Sequence, residues 1–168
     1  MRNLTFLAVT IAILLTMGFS TVSGQALLDE NFSYPAGDNI TSHGWTVHSG
    51  TTNPITVNSG GLTFTGYIDS GIGNAALVDN TGEDDNRTFT VQSSGTVYTA
   101  FMVNVTAVSA GYFFHIGPDP IATTFRARVF MDATNHFGIS VGSGTAYYAT
   151  SAFVTGTTYL LVAKYEIV

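Results

Sequence analysis

The stretch "GTVYTAFMVNVTAV", Gly95–Val108, decides how this chain is read, because it alternates from end to end. Val97, Phe101, Val103 and Val105 fall on one face with Thr99 among them, while Tyr98, Ala100, Met102, Asn104 and Thr106 fall on the other. A period of two belongs to a strand with one covered face, since successive side chains leave a pleated backbone on opposite sides. Working outward, "FRARVFMD" (Phe125–Asp132) sets Phe125, Ala127, Val129 and Met131 inward, with Arg126, Arg128 and Asp132 outward. "HFGISVG" (His136–Gly142) repeats the pattern with Phe137, Ile139 and Val141 as its inward set. Further strands are expected in "ALLDENF", "GWTVHS", "PITVN", "GLTFTGY", "NAALVDN", "RTFTVQ", "GYFFHIG", "TAYYAT" and "TYLLVAKYEIV". Short strands separated by Gly, Asn, Asp and Ser clusters, with no helical period between them, predict an all-β chain. The expected architecture is a two-sheet antiparallel sandwich of the jelly-roll kind.

The start of the chain reads differently. "MRNLTFLAVTIAILLTMGFSTVSGQA", residues 1–26, has a basic first segment (Arg2), an apolar run from Leu4 to Phe19, and small residues after it. That order is the layout of a secretory signal peptide, with cuts expected after Gly24 or Ala26. The apolar run falls short of the ~20 residues a spanning helix needs. No cysteine follows it to carry a lipid, and no second run of that length occurs, so no stable membrane span is expected once the leader is gone. Residues 27–168 then form a single β-sandwich domain. The strong strand "YLLVAKYEIV" ends it without a turn or polar tail, so its final strands are expected to be missing and further domains of the same chain to follow.

Charge and cysteine content narrow the partners. Without Arg2, four basic residues (Arg87, Arg126, Arg128, Lys164) stand against eleven acidic ones, and the formal charge of −6 becomes −7. Such a surface repels phosphate backbones, so nucleic acid is excluded as a natural partner. The absence of cysteine removes disulfides, thiolate nucleophiles and zinc–thiolate sites together. A small secreted animal domain usually leans on disulfides, so the composition points to a bacterial exported protein.

Motifs that carry chemistry are sparse. There is no H-E-x-x-H zinc motif, no G-x-S-x-G nucleophile elbow and no phosphate-binding loop with lysine. Glu30, Glu83 and Glu166 are scattered, without the close carboxylate pairing a retaining glycosidase needs. The chain is therefore read as a non-enzyme. "DNTGEDDNR", Asp79–Arg87, is the candidate calcium site, with Asp79, Glu83, Asp84 and Asp85 as its oxygen donors. Its spacing does not match an EF-hand, and a solvated turn stands beside the calcium reading. Among aromatics and cations, Tyr98, Tyr147, Tyr148, Arg126 and Arg128 are the candidate ligand-binding set. Flat rings stack on sugar faces, and the two arginines either contact sugar or anchor carboxylates of the acidic segment. "NFSYPAGDNITSHGWTVHSG", Asn31–Gly50, reads as the first corner of the fold: a turn at Pro35–Asp38, then Trp45 packing with its N–H satisfied. His43 and His48 read as flanking polar residues.

The string "LLDENFSYPAGDNITSHGWTVHSG", "GLTFTGY", "GEDDNRTF", "GTVYTAFMVNV", "GYFFHIG", "FRARVFM" and "TTYLLVAKYEIV" resembles concanavalin A-like (LamG-type) jelly-roll domains at the N-terminus of bacterial type IX secretion substrates. The resemblance implies a two-sheet sandwich, a secreted or cell-surface address and a chain that continues. It carries no established set of functional residues. The expected function is a non-catalytic exported module that binds polysaccharide or cell-surface glycan, or is adhesive. The alternatives are a purely structural domain of a large surface protein, or the non-catalytic part of a secreted glycoside hydrolase or lyase.

Overall fold

The computed structural model describes residues 24–167. The leader expected over residues 1–26 therefore lies, apart from its last three residues, outside the described residues. No helix among the described residues is long and apolar enough to cross a membrane.

Among the described residues all regular structure is β apart from one 3-10 turn at Ile40–His43, and every strand pairing is antiparallel. In chain order the strands are β1 (Thr46–Ser49), β2 (Thr56–Asn58), β3 (Ala75–Leu77), β4 (Asp84–Asn86), β5 (Gly95–Asn104), β6 (Gly111–Ile116), β7 (Ala127–Met131), β8 (Phe137–Val141), β9 (Tyr147–Tyr148) and β10 (Thr158–Ile167). They form the pairs β1–β4, β2–β3 and β5–β10 and a four-stranded meander, β6-β7-β8-β9. Local chemistry sets the meander's β7–β8 turn. Asp132 Oδ1 accepts from the backbone N–H of Thr134 and of His136, each at 2.8 Å, while Asn135 takes the left-handed conformation at φ 68°.

β5 and β10 pair over their whole length, Gly95 opposite Ile167 and Asn104 opposite Thr158. Cross-strand partners share a face, so Val97, Thr99, Phe101 and Val103 lie beside Tyr165, Ala163, Leu161 and Tyr159. This is the face that alternation assigns to the interior, and it meets one side of the meander. Phe101 packs against Phe113 and Phe114, with centroids 6.4 and 4.8 Å apart, and Tyr159 packs edge-on against Phe137 at 5.7 Å. Phe153 stacks on Phe137 at 4.4 Å and is only 3% exposed. Val105, Val129 and Phe153 are buried in this half of the molecule, and Ile40 and Val57 in the N-terminal half. Backbone bonds bring the latter two segments together: Ile40 N–H to Ile55 O at 3.0 Å, and Val57 N–H to Asp38 O at 2.9 Å.

The structure departs from the sequence reading in four places. "ALLDENF", "GLTFTGY" and "RTFTVQ" form no strand. The first is held instead by side chains, with Phe32 at φ 50° and its N–H bonded to Glu30 Oε1 at 2.8 Å. The acidic segment, in contrast, is partly a strand: Asp84–Asn86 pairs with β1. The inward set of β8 is only half covered. Ile139 lies opposite Val129 as the alternation requires, yet Ile139 is 58% and Val141 72% exposed, because β10 covers the meander near Val129 and stops short of its edge. Finally, Phe125 precedes the strand proper and packs on the Arg128 side.

The first corner forms as read. Asp38 N–H bonds Pro35 O at 3.2 Å around Gly37, whose φ of 92° suits glycine at the third position of a type II turn. Trp45 lies against Phe32, centroids 5.8 Å apart, and its indole N–H donates to Glu30 Oε2 at 3.2 Å.

Candidate functional site

The meander has two faces, and register assigns each side chain to one of them. Tyr112, Phe130, Gly138 and Tyr148 are successive cross-strand neighbours, as are His115, Arg128 and Ser140. Together they make the face turned away from β5–β10. Its centre is Arg128. The guanidinium carbon lies 4.9 Å from the ring centroids of both Phe125 and Phe130 and 5.5 Å from that of Tyr112. Cations over ring faces are attracted by the ring quadrupole. Nε donates to Ser140 Oγ at 3.2 Å and Nη2 to Gly144 O at 3.2 Å, which fixes the plane of the group.

The rings around it interlock. Tyr112 meets Phe130 edge-on at 5.9 Å and Phe125 at 5.4 Å, and Tyr148 meets Phe130 edge-on at 6.5 Å. Tyr148 occupies the space above Gly138, where a Cβ would stand 2.6 Å from the ring. A glycine in mid-strand often marks a close approach of this kind. Tyr112 and Tyr148 are each 43% exposed, so both rings are partly open to solvent.

At the β1 end this face is closed by His48, whose ring meets His115 edge-on at 5.9 Å. His115 Nδ1 is buried without a hydrogen-bond partner. Burial, and then the neighbouring His48, hold the pKa of His115 below the usual histidine value. A neutral imidazole is the state that suits this position.

The five residues singled out from the sequence do not form one site. Arg128 and Tyr148 share the aromatic face, whereas Arg126 lies at an irregular position just before β7, its N–H bonded to Ile116 O and its C=O accepting from Gly142 N–H. Tyr147, 80% exposed, lies opposite Ile139 and so on the other side of the meander. Tyr98, 65% exposed, is on the outer face of β5–β10. Neither arginine pairs with the acidic segment; among the described residues the arginine in an ion pair is Arg87, with Glu30. Tyr112, Phe125 and Phe130 were not foreseen as part of the platform. Alternation through "GYFFHI" does not place Tyr112, because the β6–β7 register shifts between Tyr112 and Phe114.

The acidic residues are likewise dispersed. Asp79 Oδ1 accepts from Thr81 N–H at 2.8 Å, a local turn, and Asp84 Oδ2 accepts from Ser49 Oγ at 2.6 Å. Asp85 points to the other side of β4, with both carboxylate oxygens buried and without a hydrogen bond. Burial first, then the adjacent Glu83 and Asp84 charges, push its pKa up to about 6. Among the described residues no group of three or more His, Asp or Glu side chains is placed to hold a metal ion. What fixes the segment is backbone packing: at Gly50 (φ 78°) a Cβ would overlap Gly82 O, so the two loops touch main chain to main chain.

Two shallow grooves lie on the β9 side. One of about 370 Å³ runs between Phe137, Ile139, Tyr147 and Leu161–Ala163, and one of about 320 Å³ between Ile139, Val141, Gly144 and Tyr147. Neither is lined by a carboxylate. No protein-family model, no curated protein and no solved structure matches this chain.

Proposed function

We propose that this chain is a non-catalytic exported module that binds polysaccharide or cell-surface glycan through the aromatic face of its meander. On this reading the fold is a two-sheet sandwich of the concanavalin A-like jelly-roll kind, and the leader supplies its secreted or surface address. The observation that carries the binding role is the pair of half-exposed rings on this face, Tyr112 against a guanidinium held flat by Ser140 and Gly144, and Tyr148 against Phe130. Partly exposed rings stack on the apolar face of a pyranose, and the adjacent N–H groups meet its hydroxyls.

The test is affinity electrophoresis of the protein through gels carrying a panel of polysaccharides. Tyr112→Ala and Tyr148→Ala remove half-exposed rings, so the variants should fold. Each should weaken retention by roughly three- to tenfold, the equivalent of an aromatic contact worth about 1 kcal/mol. A protein retained by no polysaccharide, or variants retained as well as the parent, would overturn the reading.

A purely structural role is the second reading, and a different observation favours it. Ile139, Tyr147 and Val162, at 58%, 80% and 62% exposed, form an apolar strip of the sort that neighbouring protein covers. A folded protein that binds no glycan at any concentration would favour that role.

A further inference from the structure

We infer that the free edge of β10 accepts one added strand: an extended segment of another polypeptide, antiparallel to β10, with apolar side chains at alternate positions turned toward Ile139 and Tyr147. This surface lies on the side of the meander opposite the aromatic face, so the inference stands apart from the glycan-binding reading.

The two layers of this half differ in width. The meander has four strands, while β5 and β10 pair only with each other. Phe101 of β5 meets Phe113 and Phe114 of β6, and Tyr159 of β10 meets Phe137 of β8, so the cover runs out before β9. One cross-strand row records where it stops: Val129 is 4% exposed, its neighbour Ile139 58%, and Tyr147 beyond it 80%. The groove of about 370 Å³ opens there, with Leu161–Ala163 of β10 as one wall and Ile139 and Tyr147 as its floor. Strands in a sheet lie ~4.8 Å apart, so a single strand beside β10 would cover that floor.

β10 supplies the backbone for it. The β5 ladder takes one side of the strand, and among the described residues no other backbone hydrogen bond reaches Thr158–Ile167. A row of donors and acceptors is therefore open along the lip of an apolar groove. A pleated strand satisfies both at once, with amides to the edge and alternate side chains to the floor. A sugar or an acyl chain would fill the groove and leave the amide row unpaired. A second folded copy does not fit by pairing β10 with β10, because a two-fold axis there brings its meander into the layer where β8 and β9 already project. Residues 24–167 are placed elsewhere and the leader is read as removed on export, so the strand comes from another polypeptide. Charge sets its pattern: Lys164 and Glu166 stand on the outer side of β10, their side chains 54% and 66% exposed. The matching strand carries an acid opposite Lys164, a base opposite Glu166, and apolar residues opposite Leu161, Ala163 and Tyr165.

The probe is a short synthetic peptide in which valine or isoleucine alternates with polar residues, with lysine and glutamate at the places opposite Glu166 and Lys164. Calorimetric titration should show saturable one-to-one binding, and hydrogen exchange should slow at alternate amides of β10. N-methylation of the peptide amides that face β10 keeps every side chain and should abolish binding, since it removes the ladder donors. Ile139→Asp and Tyr147→Ala change exposed positions, so both variants should fold. Binding should weaken roughly tenfold or more for Ile139→Asp, which puts a charge under the added strand, and roughly three- to tenfold for Tyr147→Ala. No binding of the peptide, binding that N-methylation leaves intact, or binding without slower exchange in β10 would each overturn the inference. So would β10 amides that are already slow without peptide: the edge is then taken by a second copy if the protein sediments as a dimer, or by its own chain if it is a monomer.

Discussion

Replacing Glu30 should expose how the N-terminal corner is held. Its carboxylate is 10% exposed and accepts four hydrogen bonds: from Phe32 N–H at 2.8 Å, Tyr34 OH at 2.9 Å, Trp45 Nε1 at 3.2 Å and Arg87 Nη1. Tyr34 is stacked on His43 at 4.1 Å, and its hydroxyl accepts from Arg87 at 3.0 Å, so the corner is one connected network. Glu30→Ala removes every one of those acceptors at once. Losing one partner of a buried ion pair costs about 3–5 kcal/mol. Arg87 is 31% exposed and keeps Tyr34, so the low end applies, roughly 3 kcal/mol. For a chain of this size each kcal/mol moves the melting temperature by roughly 2–4 °C, giving a fall of about 6–12 °C. Glu30→Gln keeps one acceptor and the volume, and should cost about 1–2 kcal/mol. Calorimetry on wild type, Glu30→Ala, Arg87→Met and the double variant reads the coupling directly, expected at about 1–3 kcal/mol. A coupling near zero, or a Glu30→Ala melting temperature within about 2 °C of wild type, would refute the network as the corner's support.

Two other perturbations follow from single positions. The Asp85 carboxyl, raised from 3.8 to about 6, binds its proton more tightly in the folded state, so it makes stability fall as pH rises from about 4 through about 6 and level off above. Asp85→Asn should flatten that part of the profile and raise the melting temperature at neutral pH; melting curves parallel to wild type from pH 4 to 7 would contradict this. Gly138→Ala puts a Cβ 2.6 Å from the Tyr148 ring and should cost about 1–3 kcal/mol as the ring is displaced. Weaker polysaccharide retention should accompany the loss, and an unchanged melting temperature would mean that Tyr148 does not lie across Gly138.

The long alternating strands were legible because their physics is local. In β5 and β7 the pleat alone dictates which side chains share a face, and Phe101, Val103 and Val129 lie where the alternation puts them. Trp45 was legible for a similar reason, since a lone indole beside a turn needs both an apolar neighbour and a partner for its N–H. Residues 26–32 read as a strand equally well, but what holds them is the Glu30 carboxylate and its distant partner Arg87, which no local pattern encodes.

The candidate site divides along the same line. Sequence by itself determined that the described chain is all-β and antiparallel, that its charge is scarce and mostly negative, and that Arg128 leaves its strand on the face opposite Val129. Tertiary structure alone decided which rings gather round Arg128. Tyr147 and Tyr148 are neighbours in sequence yet face opposite sides of the meander, and Tyr98 belongs to the separate β5–β10 pair. Tyr112 reaches Arg128 through the irregular register of β6, and Tyr148 reaches Phe130 only because Gly138 leaves room. Periodicity specifies a side chain's face; register, bulges and the reach of a covering sheet specify its neighbours, and those depend on contacts between strands far apart in the chain.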